Sequence, residues 1–381
     1  MPRFPEIEGL RAWLAWSVVA THCFVSLNYF PRIGQLLDGS NIVAVFVMVS
    51  GFVIAGLVVD REEPWPRYIT RRAFRIFPAY LIALPIGAVA THLAVAGLAT
   101  TTWGSDASSW FYGARSGEIH EVARNPWPYW LLHVTLLQGL VPDNVLPWSS
   151  LAFIGPAWSL SLEWQFYLIA PAVIWLMRSR RWAALITFIA FGCAYLFKHQ
   201  VFGVYPSYAN LAGGLWLFVI GIASRLALPT LKSMALPFPA IAIAAAGLVP
   251  FANAIAPVLF WIAFLAFLAR PAQPEALTDR VAAKAGKALF ASWLPTTLGA
   301  RSYSVYVLHM PILQILLYLL PLHALTQVQT FVLLVPSVIV LTLIASELMY
   351  RLVERPMIRL GAQLAAPRPA TQPLEVAHHA P

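Results

Sequence analysis

Long apolar runs separated by short polar or basic stretches make up most of the chain. A helix needs roughly 20 apolar residues to cross ~30 Å of hydrocarbon. About ten runs of that kind can be marked off, near residues 10 to 28, 40 to 59, 76 to 98, 156 to 177, 182 to 197, 207 to 226, 235 to 252, 254 to 269, 299 to 320 and 327 to 350. The pair between 235 and 269 is the most weakly marked. The pattern predicts an all-α, polytopic integral membrane bundle. With the N-terminus in the cytoplasm, all but four of the 25 Lys and Arg residues lie inside or at the inner edge, the exceptions being Arg32, Arg115, Arg124 and Lys198. Both termini are then expected in the cytoplasm.

The segments between runs differ in kind. The outer stretch from 99 to 155 holds Trp103, Trp110, Trp127, Trp130 and Trp148, and its apolar part from Trp130 to Leu140 is too short to span. It suits a membrane interface and is expected to cap an outward-facing cavity. The inner stretch from Pro271 to Leu298 mixes Lys284 and Lys287 with Leu289, Phe290 and Trp293, as a surface-lying amphipathic segment does. Residues 1 to 360 are expected to form one membrane domain, and the Pro- and Ala-rich residues 361 to 381 a disordered cytoplasmic tail.

Composition narrows the function classes. The 381 residues are 60% hydrophobic and 11% charged, which no soluble domain matches. The formal charge of +9 sits singly or in short clusters between apolar runs, so it reads as topology rather than as a nucleic-acid surface. Cys23 and Cys193 lie inside apolar runs without metal-ligand spacing, and neither a disulfide framework nor a metal site is indicated. The first run carries Arg11 and His22 with no small-residue cleavage site after it, and is expected to be a retained span.

Ionisable groups inside spans are costly and point to function. They are His22, Glu163, His309 and, nearer the inner edge, Glu347. At about 1.5 Å per residue His22 lies about 18 Å above the inner edge and Glu163 about 10 Å below the outer one, while Ser50 and His309 are each roughly 15 Å from where their spans begin. Four groups from four spans thus share a layer near the midplane. Arg11 precedes His22 by about three turns on the same face, and Arg71, Arg72 and Arg75 cluster in the loop expected before the third span. Arginine forks suit phosphate, although basic loop residues also set topology. Ser159, Glu163 and Tyr167 form a polar stripe at spacings of four, and Ser302, Tyr306 and His309 another. Tyr303 and Tyr306 also fit interfacial anchors, and Ser50 with Gly51 also fits close helix packing.

Taken in order, these residues resemble the acyltransferase family 3 of membrane-bound acyltransferases. The resemblance rests on Arg11 and His22 with ten residues between them, Ser50-Gly51-Phe52, Arg72 and Arg75, Trp158-Ser159-Leu160 through Glu163 to Phe166-Tyr167, and Ser302-Tyr303 through His309. It implies that His22 is the catalytic residue, that Arg11 is needed with it, and that Arg72 and Arg75, beside Arg71, help to bind an acyl-CoA donor, with acetyl-CoA expected. Glu163 is expected at the catalytic centre, and Ser50, Ser159, Tyr167, Tyr303 and His309 toward substrate. One departure is Trp164, where many relatives carry a second acidic residue. Many glycan-modifying members also carry a fused extracytoplasmic hydrolase-like domain; none is read here, so direct transfer or a separate extracytoplasmic partner protein is expected.

The reaction implied is O-acyl transfer from cytoplasmic acyl-CoA to a hydroxyl of a glycan, lipid-linked sugar or small metabolite, in a bacterial inner membrane. His22 would act as general base with Glu163 or a neighbour orienting it, or would be transiently acylated. A transporter or lipid-handling protein is the rival class, since midplane polar groups also line substrate pathways. Inverted halves with paired broken helices would favour that rival, and the sequence shows no such symmetry.

Overall fold

A computed structural model describes residues 4–27, 39–101, 103, 110–234, 238–248, 255–270 and 277–366. Among these the regular structure is entirely helical. The first helices are α1 (Pro5–Ser26), α2 (Gly39–Arg61), α3 (Trp65–Leu98), α4 (Trp110–Arg124) and α5 (Pro126–Val134). They are followed by α6 (Trp158–Met177), α7 (Arg180–Lys198), α8 (Leu211–Ser233), α9 (Phe238–Leu248) and α10 (Ala256–Ala269). The last are α11 (Leu277–Gly286), α12 (Trp293–Ala300), α13 (Ser302–Leu319), α14 (Gln327–Met349) and α15 (Arg355–Leu364).

Seven helical stretches among the described residues are long and apolar enough to cross a membrane. They are α2, α3, α6 with the turn before it, α7, α8, α13, and α14 running on into α15. Three of the expected runs fall short. The 22 residues of α1 begin with Glu6, Glu8 and Arg11, and this polar base keeps its hydropathy down. The next two, α9 and α10, are 11 and 14 residues long, and residues 235–237 and 249–254 of their runs lie outside the described set.

The third span differs most from expectation. It begins at Trp65, eleven residues before the apolar run, and forms one helix of 34 residues. Arg71, Arg72 and Arg75 therefore stand on a helix and not in a loop. The physical reason is local: Pro64 and Pro66 set an N-terminus, and Arg is a good helix former that hydropathy counts only as polar. At the other end of the chain α15 continues to Leu364, into the stretch expected to be a tail, and packs on α3, where a Cβ on Gly361 would meet Phe74 at 2.5 Å. Residues 367 to 381 of the expected tail lie outside the described residues.

Packing sets the centre of the bundle. α1 lies against α2, α12 and α13, and α13 packs on α3 and α14. α2 packs on α6 and most closely on α8. There a Cβ on Gly51 would stand 2.4 Å from the Phe218 carbonyl oxygen and one on Gly221 2.1 Å from that of Met48, so the two backbones meet through reciprocal glycines. By contrast α7 is almost wholly exposed, presenting Trp182, Phe188 and Tyr195 outward.

The aromatic segment between α3 and α6 folds as α4, α5 and a tight loop. Trp127 and Leu131 are exposed while Tyr129 and His133 are buried. The ring of His133 contacts the Tyr80 hydroxyl at 3.2 Å and the Ser149 carbonyl oxygen at 2.9 Å. Arg115 and Glu118 form a buried ion pair at 2.6 Å, and Glu118 also accepts the Phe153 N–H at 2.6 Å. Burial pushes the Glu118 carboxyl above its ordinary range, against the pull of Arg115. In the inner segment α11 leads through a π turn (Lys287–Ala291) to α12; Leu289 and Trp293 are exposed, while Phe290 meets Phe264.

Candidate active site

One cavity of about 130 Å³ opens at the meeting of α1, α2, α3, α6, α8 and α13. It is lined by Arg11, Ser50, Arg72, Arg75, Ser159, Glu163, Tyr167, Ser302, Tyr303 and Tyr306, ten of the side chains singled out from the sequence. Apolar groups, among them Phe46, Val47, Ile54 and Phe218, make the rest of the wall.

Glu163 is the hub. Its Oε1 accepts from the Ser50 hydroxyl at 2.8 Å and from the Tyr167 hydroxyl at 2.5 Å. Tyr167 lies one turn along α6, so the spacing of four produces the second bond directly. Among the described residues no donor takes Oε2. Trp164, at the position of the missing second acid, packs edge-on against Phe77 of α3, with ring centroids 4.9 Å apart.

The arginines behave differently from one another. Arg72 has no carboxylate partner among the described residues, its buried Nε has no hydrogen-bond acceptor, and its guanidinium stands 5.8 Å from the centre of the Tyr167 ring. Arg75 is committed to Glu354 at 2.5 Å, whose other oxygen accepts from Ser304 at 2.6 Å. Arg11 is held loosely by Glu8 at 3.5 Å. Arg71 does not line the cavity; it pairs with Glu63 at 2.9 Å.

His22 and His309 do not line the cavity either. They form a pair of their own, His309 Nε2 to His22 Nδ1 at 3.3 Å. Each ring also has Nδ1 beside a carbonyl oxygen one turn back, Val18 at 2.9 Å and Val305 at 3.1 Å. Carbonyls only accept, so both Nδ1 atoms carry the proton and both Nε2 atoms are lone-pair acceptors. The Nδ1–H of His22 is then shared between Val18 and His309, which leaves His22 Nε2 as the basic nitrogen. His309 is fully buried and His22 only partly so. Tyr306 stands between the two places: it lines the cavity, its ring centroid lies 5.9 Å from that of His309, and its hydroxyl contacts Ser159 at 2.7 Å and donates to the Pro156 carbonyl at 2.8 Å. Tyr303 donates to the Ile76 carbonyl.

A family model described as an acyltransferase domain matches residues 4–351. The chain belongs to this acyltransferase family. Relatives agree in kind. Acyltransferase MdmB of Streptomyces mycarofaciens is 28% identical over 256 residues, 60% of this chain and 58% of MdmB. The BcsY protein of Komagataeibacter xylinus, named as a membrane-bound transacylase, is 28% identical over 368 residues, 92% of this chain and 82% of BcsY. Nodulation protein 10 of Rhizobium leguminosarum bv. viciae is 24% identical over 241 residues, 58% of this chain and 59% of that protein. The chain thus spans less than two thirds of MdmB and of nodulation protein 10. No solved structure matches it.

In this acyltransferase family member the sequence reading missed Glu354 and selected Glu347. Glu347 serves Arg301 at 2.7 Å and also pairs with Arg351, an ion network at the helix end. Glu354 lies in the stretch Arg351-Leu352-Val353-Glu354-Arg355, which looks like a solvated helix end. Only the π turn at Tyr350–Glu354 and the docking of α15 on α3 bring it inward to Arg75.

Proposed function

We propose that this protein is a membrane-embedded O-acyltransferase that moves an acetyl group from cytoplasmic acetyl-CoA to a hydroxyl of a glycan, lipid-linked sugar or small metabolite. Its place is the bacterial inner membrane, with both termini in the cytoplasm. The first helix and the α9–α10 pair raise the seven apolar spans to the ten read from the sequence. The observation that carries the reading is Arg72, a half-buried arginine whose enclosed Nε has no acceptor among the described residues, in a cavity shared with Arg11 and Glu163. An arginine without a carboxylate partner at a cavity wall calls for an anion, and the phosphates of an acyl-CoA supply one. The names of two relatives, an acyltransferase and a membrane-bound transacylase, point the same way.

Acyl-CoA brings a thioester whose carbonyl is open to attack by an alcohol. Arg72 and Arg11 hold the donor's anionic end, and Arg75, neutralised by Glu354, fixes the wall beside Tyr303. Glu163, with Ser50 and Tyr167, offers its second oxygen to a donor N–H or acceptor O–H at the middle of the cavity. His22 Nε2 takes the proton of the acceptor hydroxyl as its oxygen attacks, and passes it to the departing sulfur. His309 Nε2 accepts from His22 Nδ1–H, keeping the base in the right tautomer and supporting the charge it gains. Tyr306 marks the boundary the acyl group must pass to reach His22. A separate extracytoplasmic partner is needed only if the acceptor lies beyond reach of His22.

The test is release of free coenzyme A by the purified protein in nanodiscs, with acetyl-CoA and longer donors, with and without candidate acceptors. His22→Ala is expected to lower turnover by about 10²- to 10⁴-fold while the protein still binds coenzyme A. Unchanged turnover in that variant sinks the assignment. Absence of any donor binding would favour a transporter.

A further inference from the structure

A second cavity, of about 470 Å³, lies apart from the first. Its walls are the last turn of α2 (Val58, Val59), the link from α2 to α3 (Glu62, Glu63), Tyr68 in the first turn of α3, and the end of α6 from Pro171 to Trp175 with Arg178 just after it. Nothing in the proposed acyl transfer uses it.

Three observations describe what it would hold. The Tyr68 side chain in its wall is buried, 3% exposed, and its hydroxyl has no hydrogen-bond partner among the described residues. Buried hydroxyls are paired as a rule, so this one calls for a partner that the described residues do not provide. The rim carries both signs of charge: Arg178 and Glu62 face each other at 3.9 Å, both largely exposed, and Glu63 is already engaged by Arg71. Glu62 sits in the left-handed backbone region, with φ of +45°, a conformation unfavourable for Glu. The remaining wall is apolar, Val58, Val59, Ala172 and Ile174, beside the exposed indole of Trp175. Exposed tryptophans at helix ends mark the depth of lipid headgroups.

With Glu63 held by Arg71, the charges left at the rim are one carboxylate and one guanidinium, Glu62 and Arg178, which match a headgroup carrying one charge of each sign better than a polyphosphate or a purely anionic one, while an apolar wall disfavours a free sugar. We propose that this cavity binds one zwitterionic phospholipid with a primary amine headgroup. Its ammonium meets Glu62, its phosphate meets Arg178, Tyr68 donates to a phosphate or ester oxygen, and an acyl chain follows Val58, Ala172 and Ile174. An ammonium has three N–H donors to share with a carboxylate, whereas a choline headgroup has none. The proposal goes beyond acyl transfer and stands whether or not that reading holds.

The experiment is native mass spectrometry of the full chain released from nanodiscs containing equal parts of phosphatidylethanolamine, phosphatidylcholine and phosphatidylglycerol. One phosphatidylethanolamine is expected to stay bound in preference to the other two. In the wild type, mono- and dimethylated phosphatidylethanolamine are expected to be retained progressively less as N–H donors are lost. Glu62→Gln and Tyr68→Phe, the latter keeping the ring, are each expected to weaken retention by about tenfold. Equal retention of the three lipids, preference for the glycerol headgroup, or indifference to N-methylation overturns the proposal. The wild-type lipid series decides on its own should a variant fail to fold.

Discussion

At the scale of single residues, two arginines three positions apart on α3 have different duties, and substitution separates them. Arg72 has no carboxylate partner to lose among the described residues, only its place over the Tyr167 ring. Arg72→Gln is therefore expected to leave thermal stability in detergent nearly unchanged and to weaken coenzyme A binding by about tenfold, measured by calorimetry. Arg75→Met strands Glu354, a carboxylate with no exposed surface. A loss of about 3–5 kcal/mol is expected, with much of it recovered in the double variant Arg75→Met, Glu354→Met, read by chemical denaturation. The histidine pair separates in the same way. His309→Ala is expected to lower kcat with little change in donor KM and to alter the pH profile of kcat. His309→Gln, whose amide oxygen can accept from His22 Nδ1–H, is expected to recover part of it. Equal activity of the His309→Ala variant and the wild type would show that His22 needs no support.

At the scale of elements, the reading of Ser50-Gly51 as either polar site or helix-packing device resolves into both, one residue each. Ser50 faces the cavity and Gly51 the α8 backbone. Gly221→Ala is expected to force α2 and α8 apart at a cost of about 1–3 kcal/mol, visible as a lower midpoint of thermal unfolding. The loop after α5 carries a pH-sensitive group. Burial pushes the Asp143 carboxyl up to about 6, against the Trp148 backbone N–H that holds it down. A carboxyl whose folded value is raised favours the folded loop when protonated, so the loop loses stability as pH rises from the ordinary aspartate range through about 6. Hydrogen exchange across residues 141 to 150 is expected to be slower at pH 5 than at pH 7 after correction for intrinsic rates, and Asp143→Asn to remove the difference. The start of α3 was not legible because hydropathy sees only the apolar part of a helix, and eleven residues of this one are polar or interfacial.

For the whole molecule, the arginines that two helices bring to the main cavity matter together with its apolar wall. If Arg72 and Arg11 meet the donor's phosphates, coenzyme A binding weakens as salt rises, since partly exposed charge pairs are screened within about 10 Å at 0.1 M salt. A binding series from low to high salt is expected to show this slope in the wild type and a flatter one in Arg72→Gln. The layer of polar groups inferred near the midplane divides in the fold into two neighbouring places. Ser50 joins Glu163 in the cavity, and His22 joins His309 beyond Tyr306. Residue counts put the members of each pair at a common level, but the rotation of one helix about its axis relative to another was not readable from them.

The sequence by itself determined that this is a helical membrane protein, the order of its apolar spans, and most of the side chains that line its main cavity. Those follow from local rules: the length of apolar runs, the cost of charge in lipid, and the spacing of three or four that puts side chains on one face. Only the tertiary structure decided which groups pair across helices: Glu163 with Ser50, His22 with His309, Arg75 with Glu354, and Arg72 with no carboxylate among the described residues. Pairing depends on how helices distant in sequence turn and dock against one another. Glycine contacts, the π turn before α15 and the early start of α3 set that geometry, and none of them leaves a mark in hydropathy.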